Sequence, residues 1–170
     1  KFHYIPCLLG GIMKLSNNQP PMVTLAEIPN KMKYEFETAF NRFMKEHNIT
    51  KFKMNEHFPV NTISLIRGLI VAQKHEFYES YLEIVLSGLW EQSLKLDTPE
   101  ALHELLKKHD CHADLVIEEI AKDETKQELI KNTSEAAEKG AFGIPTFFVG
   151  EEMFYGKDTL RELKEMASSS

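Results

Sequence analysis

The sequence predicts an α/β protein in which a few short strands share one small sheet and helices cover it. Two observations carry that prediction. Strand-forming runs sit near the ends, at Phe2–Leu9 and Thr146–Tyr155, whereas most of the chain between them repeats its apolar residues at helical spacing. The second is size: 170 residues, 42% hydrophobic and 27% charged, suffice for one folded domain with a substantial core.

Phe2-His3-Tyr4-Ile5-Pro6-Cys7-Leu8-Leu9 reads as an extended apolar strand, with Pro6 near its end or on an edge. From Gly10 to Pro29 the pairs Gly10-Gly11, Asn17-Asn18 and Pro20-Pro21 mark a long irregular loop. Its apolar members Ile12, Met13, Met22 and Val23 favour order, and its length makes it the first candidate binding segment. Met32–His47 presents Phe36, Ala39, Phe40, Phe43 and Met44 as a helical stripe, so one face should be buried. On that reading Phe36, Phe40 and Phe43, like Met13 and Met22, belong to the core rather than to a substrate box. An extended link, Phe52–Val60, leads to Asn61 or Thr62 as a cap for the helix through Ile63, Ile66, Leu69 and Ile70, which breaks near Lys74-His75. Helices follow at Phe77–Trp90, from Thr98-Pro99 to His109, at Ala113–Ala121 and at Glu124–Lys139, the last closed by Gly140. Thr146–Val149, a turn at Gly150-Glu151-Glu152, and Met153–Tyr155 form a β-hairpin. Asp158 then caps a final helix through Leu160, Leu163 and Met166, with Ala167–Ser170 as a frayed tail.

A net charge of -6 and a pI near 5.7 argue against a nucleic-acid partner, which would require a basic surface. No apolar run approaches the roughly 18 residues of a membrane helix, and the start lacks a signal-peptide pattern, so a soluble cytoplasmic protein without a membrane partner is the expectation. Cys7 and Cys111 lie far apart and form no C-x-x-C pair, which suits small core residues better than a disulfide or redox dithiol. The seven histidines show no metal-ligand spacing, so no metal is expected.

Ile144-Pro145 is the most informative local feature. Pro145 stands immediately before an apolar strand run, with Gly143 giving freedom to turn, and the local residues leave both a cis and a trans bond open. A cis proline at a strand start leaves the N–H and C=O of the residue before it free to receive an extended peptide. Asn17, Asn18 and Gln19 before Pro20-Pro21 offer amide donors and acceptors, either to a ligand or to a solvated turn. Lys14, Lys31 and Lys157 can meet carboxylates, and Asp158 can pair with an amine or cap its helix. The charges from Glu118 to Glu128 read as a solvated helix surface.

Together, Leu8-Leu9-Gly10-Gly11-Ile12-Met13-Lys14, Ser16-Asn17-Asn18-Gln19-Pro20-Pro21, Phe58-Pro59-Val60-Asn61-Thr62, the Gly140–Val149 stretch and Tyr155-Gly156-Lys157-Asp158 resemble, in order, the motifs of the 2-hydroxychromene-2-carboxylate isomerase and kappa-class glutathione transferase family. The resemblance spans nearly the whole chain and favours the cis bond. It implies an α/β, thioredoxin-like fold of the DsbA type with an inserted helical domain: residues 1–31 would hold the second strand and ligand loop, 32–122 the inserted helical domain, and 123–170 a helix, the cis proline, the hairpin and the last helix. The fold's first strand and helix, with the serine of an S-P-[YF] turn to which the family's catalysis is attributed, would lie upstream of Lys1. No visible serine stands in such a turn.

The resemblance further implies reduced glutathione as cofactor, its cysteinyl backbone paired with Ile144 beside Pro145. Asn18, Lys31 and Asp158 correspond to the family's loop asparagine, the lysine before the first inserted helix and the aspartate capping the last one. Asp158 would face the γ-glutamyl ammonium and Lys31 a carboxylate. Lys14 and Asn61 are further candidates. Lys157 replaces a small or uncharged polar residue and is open between a carboxylate contact and solvent. Asn17 replaces a glycine and can keep its positive φ. The implied activity is cis–trans isomerisation of a small aromatic 2-oxo acid by reversible glutathione addition, or transfer of glutathione to an electrophile. A thiol-disulfide oxidoreductase with an upstream C-x-x-C, a non-catalytic glutathione-binding remnant, and a homodimer all remain open.

Overall fold

The structure is a computed structural model and describes residues 2–169, with side chains described through residue 166. Helices α1 (Leu9–Leu15), α2 (Pro21–Thr24) and α3 (Pro29–Lys33) come first; α3 runs through a π-helical turn, Tyr34–Ala39, into α4 (Phe40–Glu46). Then follow α5 (Ile63–Lys74), α6 (Tyr78–Trp90), α7 (Pro99–Lys108), α8 (Ala113–Ala121) and α9 (Asp123–Glu138). Strands β1 (Thr146–Val149) and β2 (Glu152–Tyr155), a 3₁₀ turn at Lys157–Thr159 and α10 (Leu160–Ser169) complete the chain.

The expected strand at Phe2–Leu9 does not form. Among the described residues the sheet has two strands, β1 and β2, and the backbone of the opening segment is taken by side chains instead. Gln73 Nε2 donates to the Tyr4 carbonyl at 2.8 Å, Asn132 Nδ2 to the Pro6 carbonyl at 3.3 Å, and the Leu8 amide to Thr133 Oγ1 at 3.0 Å. The following segment is not the irregular loop expected either, because α1 and α2 occupy it. Gly11 marks close packing rather than a loop: a Cβ there would stand 2.7 Å from the Thr133 methyl, so the small residue lets α1 lie against α9, while Gly10 has open space beside it. Pro21 and Pro29 stand at helix starts, where their missing amide hydrogens cost nothing.

The main core fills the space between α5, α6, α7 and α8. Leu65, Val71, Tyr81, Val85, Leu102, Leu106 and Val116 are among its buried residues, as is Cys111. Thr98 Oγ1 accepts the Ala101 amide at 3.2 Å to start α7, and Asn61 Oδ1 accepts the Ile63 amide at 3.1 Å to start α5, as the cap pattern predicts. Buried Asn55 holds the extended link against the end of α6: Nδ2 donates to the carbonyls of Leu89 and Leu94 at 2.8 and 2.9 Å, and Oδ1 accepts the His57 amide at 2.8 Å. The acidic and basic residues of α8 and α9 pair on the surface, Lys122 with Glu118 and Glu119 and Lys126 with Asp123.

The phenylalanine stripe of the 32–47 helix does not enter the core. No residue from α3 to α4 is buried; Phe36 is 46% exposed, Phe40, Phe43 and Met13 are half-buried, and Met22 is exposed. Its aromatic face meets the neighbouring link, with the Phe40 and Phe52 ring centroids 5.2 Å apart and Phe52 stacked on Trp90 at 5.7 Å. At the other end α10 runs through Ser169, so residues 167–169 continue the helix rather than fray, and Ser170 lies outside the described residues.

Two consequences can be measured. Tyr81 is fully buried, and its hydroxyl donates to the Leu65 carbonyl at 3.0 Å over the hydrogen face of Gly68, where a Cβ would overlap it. Alanine gains about 1 kcal/mol over glycine in a helix, but overpacking costs about 1–3 kcal/mol and displacing Tyr81 also breaks its hydrogen bond. Gly68→Ala should therefore lower stability by roughly 1–3 kcal/mol in urea titration. The second concerns the thiols, which burial pushes above their ordinary value of 9.0. The unfolded chain then releases thiol protons that the native state retains, so this contribution is intact below pH 9.0 and is lost as pH rises past it. The urea midpoint should fall above that pH, less steeply in the Cys7→Ser/Cys111→Ala double variant.

Candidate functional site

The site is assembled around the start of the hairpin. β1 and β2 run antiparallel with Thr146 opposite Tyr155 and Val149 opposite Glu152. The pairing continues one step past the strands, because the Gly156 amide donates to the Pro145 carbonyl at 2.9 Å. Ile144 therefore lies beside the turn that begins at Lys157. The Ile144–Pro145 peptide bond is cis, as is Phe58–Pro59.

The residues around Ile144 are braced from several directions. Asn18 Nδ2 donates to the Phe142 carbonyl at 2.8 Å, across 124 residues of sequence, while its Oδ1 accepts the Gln19 amide at 2.8 Å. Asn17, at φ 59°, makes the turn that delivers Asn18 there. Thr146 Oγ1 donates to the Gly143 carbonyl at 2.7 Å, and the Phe142 ring packs on Tyr155 with centroids 4.5 Å apart. Ile144 itself is left over. Its side chain is exposed, and among the described residues its N–H and C=O have no hydrogen-bond partner. Held backbone with one free donor and acceptor is the arrangement to which an extended peptide can add as a strand.

Asp158 does not cap the last helix. It lies inside the 3₁₀ turn, and no side chain caps that turn; its carboxylate, 82% exposed, accepts a hydrogen bond from Lys157 Nζ. The cap fails because the turn places Gly156, not Asp158, at its N-terminal boundary. The Lys157 side chain is more enclosed, 31% exposed, and its ammonium stands 5.1 Å from the centroid of the Phe43 ring on α4. Thus the site gathers the Asn18 turn, the Phe142–Pro145 segment and the Lys157–Asp158 turn, with α4 against the last of these.

The remaining sequence-selected residues take no part in the contacts that join these segments. Lys31 is exposed inside α3 rather than ahead of the helix, because Pro29 opens the helix earlier than the apolar stripe indicates. Lys14 is exposed in the last turn of α1, and Asn61 is engaged at the start of α5. Sequence reasoning missed Phe43 as a neighbour of Lys157 and Phe142 as the anchor of Asn18; neither contact has a local pattern that announces it. The cysteines offer no reactive thiol here: Cys7 Sγ lies 3.4 Å from the Asn132 carbonyl and Cys111 is buried in the helical core. Among the described residues no helix is long and apolar enough to cross a membrane.

Comparisons with known proteins bear on this geometry. The chain is 26% identical to rat glutathione S-transferase kappa 1 over 170 residues, covering 93% of this chain and 74% of the relative. Its fold is similar to that of 2-hydroxychromene-2-carboxylate isomerase, with a TM-score of 0.80 at 18% identity, across 98% of this chain and 79% of that one. Both belong to the group that the sequence motifs resemble. A family model described as a DSBA-like thioredoxin domain matches residues 1–167. The chain therefore has a DSBA-like thioredoxin fold and belongs to the DSBA-like thioredoxin domain family.

Proposed function

We propose that this protein is a glutathione-dependent enzyme that isomerises a small aromatic 2-oxo acid or transfers glutathione to an electrophile. The observation that carries the reading is the free N–H and C=O of Ile144, held next to the Lys157–Asp158 turn. A tripeptide with an ammonium at one end needs a backbone pairing point and a carboxylate within its length, and these two features supply both. Similarity to a kappa glutathione S-transferase supports the choice of ligand.

The residues fit the ligand in the following roles. Ile144 pairs with the cysteinyl backbone, and Pro145 fixes the strand start. Asp158, exposed and opposed by a surface ammonium, faces the γ-glutamyl amine. Asn18 acts through the Phe142 carbonyl, keeping the backbone at residues 142–145 in place. Lys31 is assigned a glutathione carboxylate; Lys14 and Asn61 have no role in this reading. Bound glutathione supplies a sulfur nucleophile that adds to the conjugated acid and leaves again, or stays joined to the electrophile. The chain's own part is to orient the peptide so that its sulfur faces the second substrate.

Reduced glutathione at millimolar concentration should raise the melting temperature of the full-length protein, since a ligand at a hundredfold its Kd adds about 2.7 kcal/mol to stability. No shift at about 10 mM, an affinity too weak to matter, would count decisively against the reading. Asp158 caps no helix, so Asp158→Asn should leave the ligand-free melting temperature unchanged while weakening glutathione binding about tenfold, the loss of one exposed charge-assisted contact. Isothermal titration separates the two effects.

A further inference from the structure

Gly143 stands directly before Ile144, and its backbone does not require glycine, because its φ lies outside the left-handed region. Space does require it. A Cβ built there would come within 2.9 Å of Cε2 and Oη of Tyr155, so the missing side chain lets the tyrosine ring lie on the backbone of residue 143. We infer that Tyr155 is a positioning residue, whose ring holds the backbone ahead of Ile144 in the form that presents its free N–H and C=O. The inference takes its ligand from the glutathione reading of the site and its geometry from contacts within the chain.

Those contacts converge on residues 142 and 143. Tyr155 and Thr146 face each other across the start of the hairpin, and both reach the same residue: Thr146 Oγ1 donates to the Gly143 carbonyl, and the Tyr155 ring covers the Gly143 Cα. The ring also packs on Phe142, whose carbonyl is the one that Asn18 holds. On the far side of Ile144, the Pro145 carbonyl is engaged by the Gly156 amide. Ile144 is thus fixed from both flanks, while among the described residues its own N–H and C=O make no hydrogen bond. Tyr155 is 41% exposed and lies outside the helical core, so its ring adds little to the burial that stabilises the fold. Its packing on the two residues before Ile144 bears on the site instead. Backbone hydrogen bonds to a peptide depend on the alignment of donor and acceptor, and a backbone ordered before the ligand arrives loses less freedom on binding. The effect is the same whichever way the peptide runs.

Since the ring is what obstructs a side chain at position 143, the two positions should be coupled. In the full-length protein, Tyr155→Ala and Gly143→Ala should each weaken reduced glutathione about fivefold in isothermal titration, the worth of one aromatic contact. Tyr155→Phe should restore wild-type binding. The Gly143→Ala/Tyr155→Ala double variant should bind no more weakly than Tyr155→Ala, because the added methyl has no ring to displace. Without ligand, the NMR order parameter of the Ile144 amide should fall in both single alanine variants. It should keep its wild-type value in Tyr155→Phe and in Phe148→Ala, a control at an equally exposed hairpin position. Losses that simply add in the double variant overturn the assignment, as does an unchanged Ile144 order parameter in the folded single variants, or a Tyr155→Phe protein that binds as weakly as Tyr155→Ala. Should Tyr155→Ala fail to fold, Gly143→Ala and Tyr155→Phe decide by the same two measurements. Failure of wild-type protein to bind reduced glutathione overturns the ligand, and the order parameters then decide the role of Tyr155.

Discussion

Thr133 stands where the opening segment of the chain meets α9. Its hydroxyl accepts the Leu8 amide and donates to the Leu129 carbonyl at 2.7 Å, while its methyl fills the space that Gly11 leaves open. The preceding residue of α9, Asn132, donates to the Pro6 carbonyl and lies against Cys7. One helical turn of α9 therefore fixes residues 6–12, and α9 also packs on α5 of the helical core. The carbonyls of Tyr4 and Pro6 and the Leu8 amide are satisfied without a sheet, which matters because an unpaired buried backbone group costs about 1–3 kcal/mol. From α1 the chain passes directly to the Asn17 turn, so the position of Asn18 against Phe142 descends from the same contact.

Much of this was legible in the sequence where local chemistry decides the structure. The cap of α7 by Thr98 and Pro99, the starts and ends of α5, α6 and α8, and the hairpin all follow from short patterns. The failures share a different cause. Gly10-Gly11 reads as a loop marker because glycine has two uses, conformational freedom and lack of volume, and for Gly11 only the partner Thr133 tells which applies. Phe2–Leu9 has strand composition, yet a strand is a relation between two backbones and composition speaks for one.

The phenylalanine stripe makes the same point about burial. Periodicity shows that one side of a helix is apolar; it does not say what that side will meet. Here it meets Phe52 and the Lys157 ammonium, and the helix stays on the surface. Asp158 is the polar counterpart. Its sequence position fits a cap, but a cap depends on the dihedral angles of the boundary residue, and the 3₁₀ turn shifts that boundary to Gly156. Around the hairpin, the cis bond before Pro145 and the positive φ of Asn17 are legible because the motif and the backbone chemistry agree. The setting of Lys157 was not, since it depends on α4, more than a hundred residues away.

The site's energetics follow from where it is built. The helical core holds most of the buried apolar side chains, whereas the hairpin strands, the Lys157 turn and α4 are exposed or half-buried. A ligand there cannot draw its affinity from burial in a deep apolar cavity and must rely on directed contacts. That requirement explains the bracing: the carbonyls of Phe142, Gly143 and Pro145 are each engaged, so the backbone between them is fixed before any ligand arrives. Preorganisation of this kind removes an ordering cost from binding. The Lys157–Asp158 pair is likewise set in place, each charge being the other's counter-ion. With so little buried apolar surface, the segment has hydrogen bonds and charges, rather than area, to offer a small molecule.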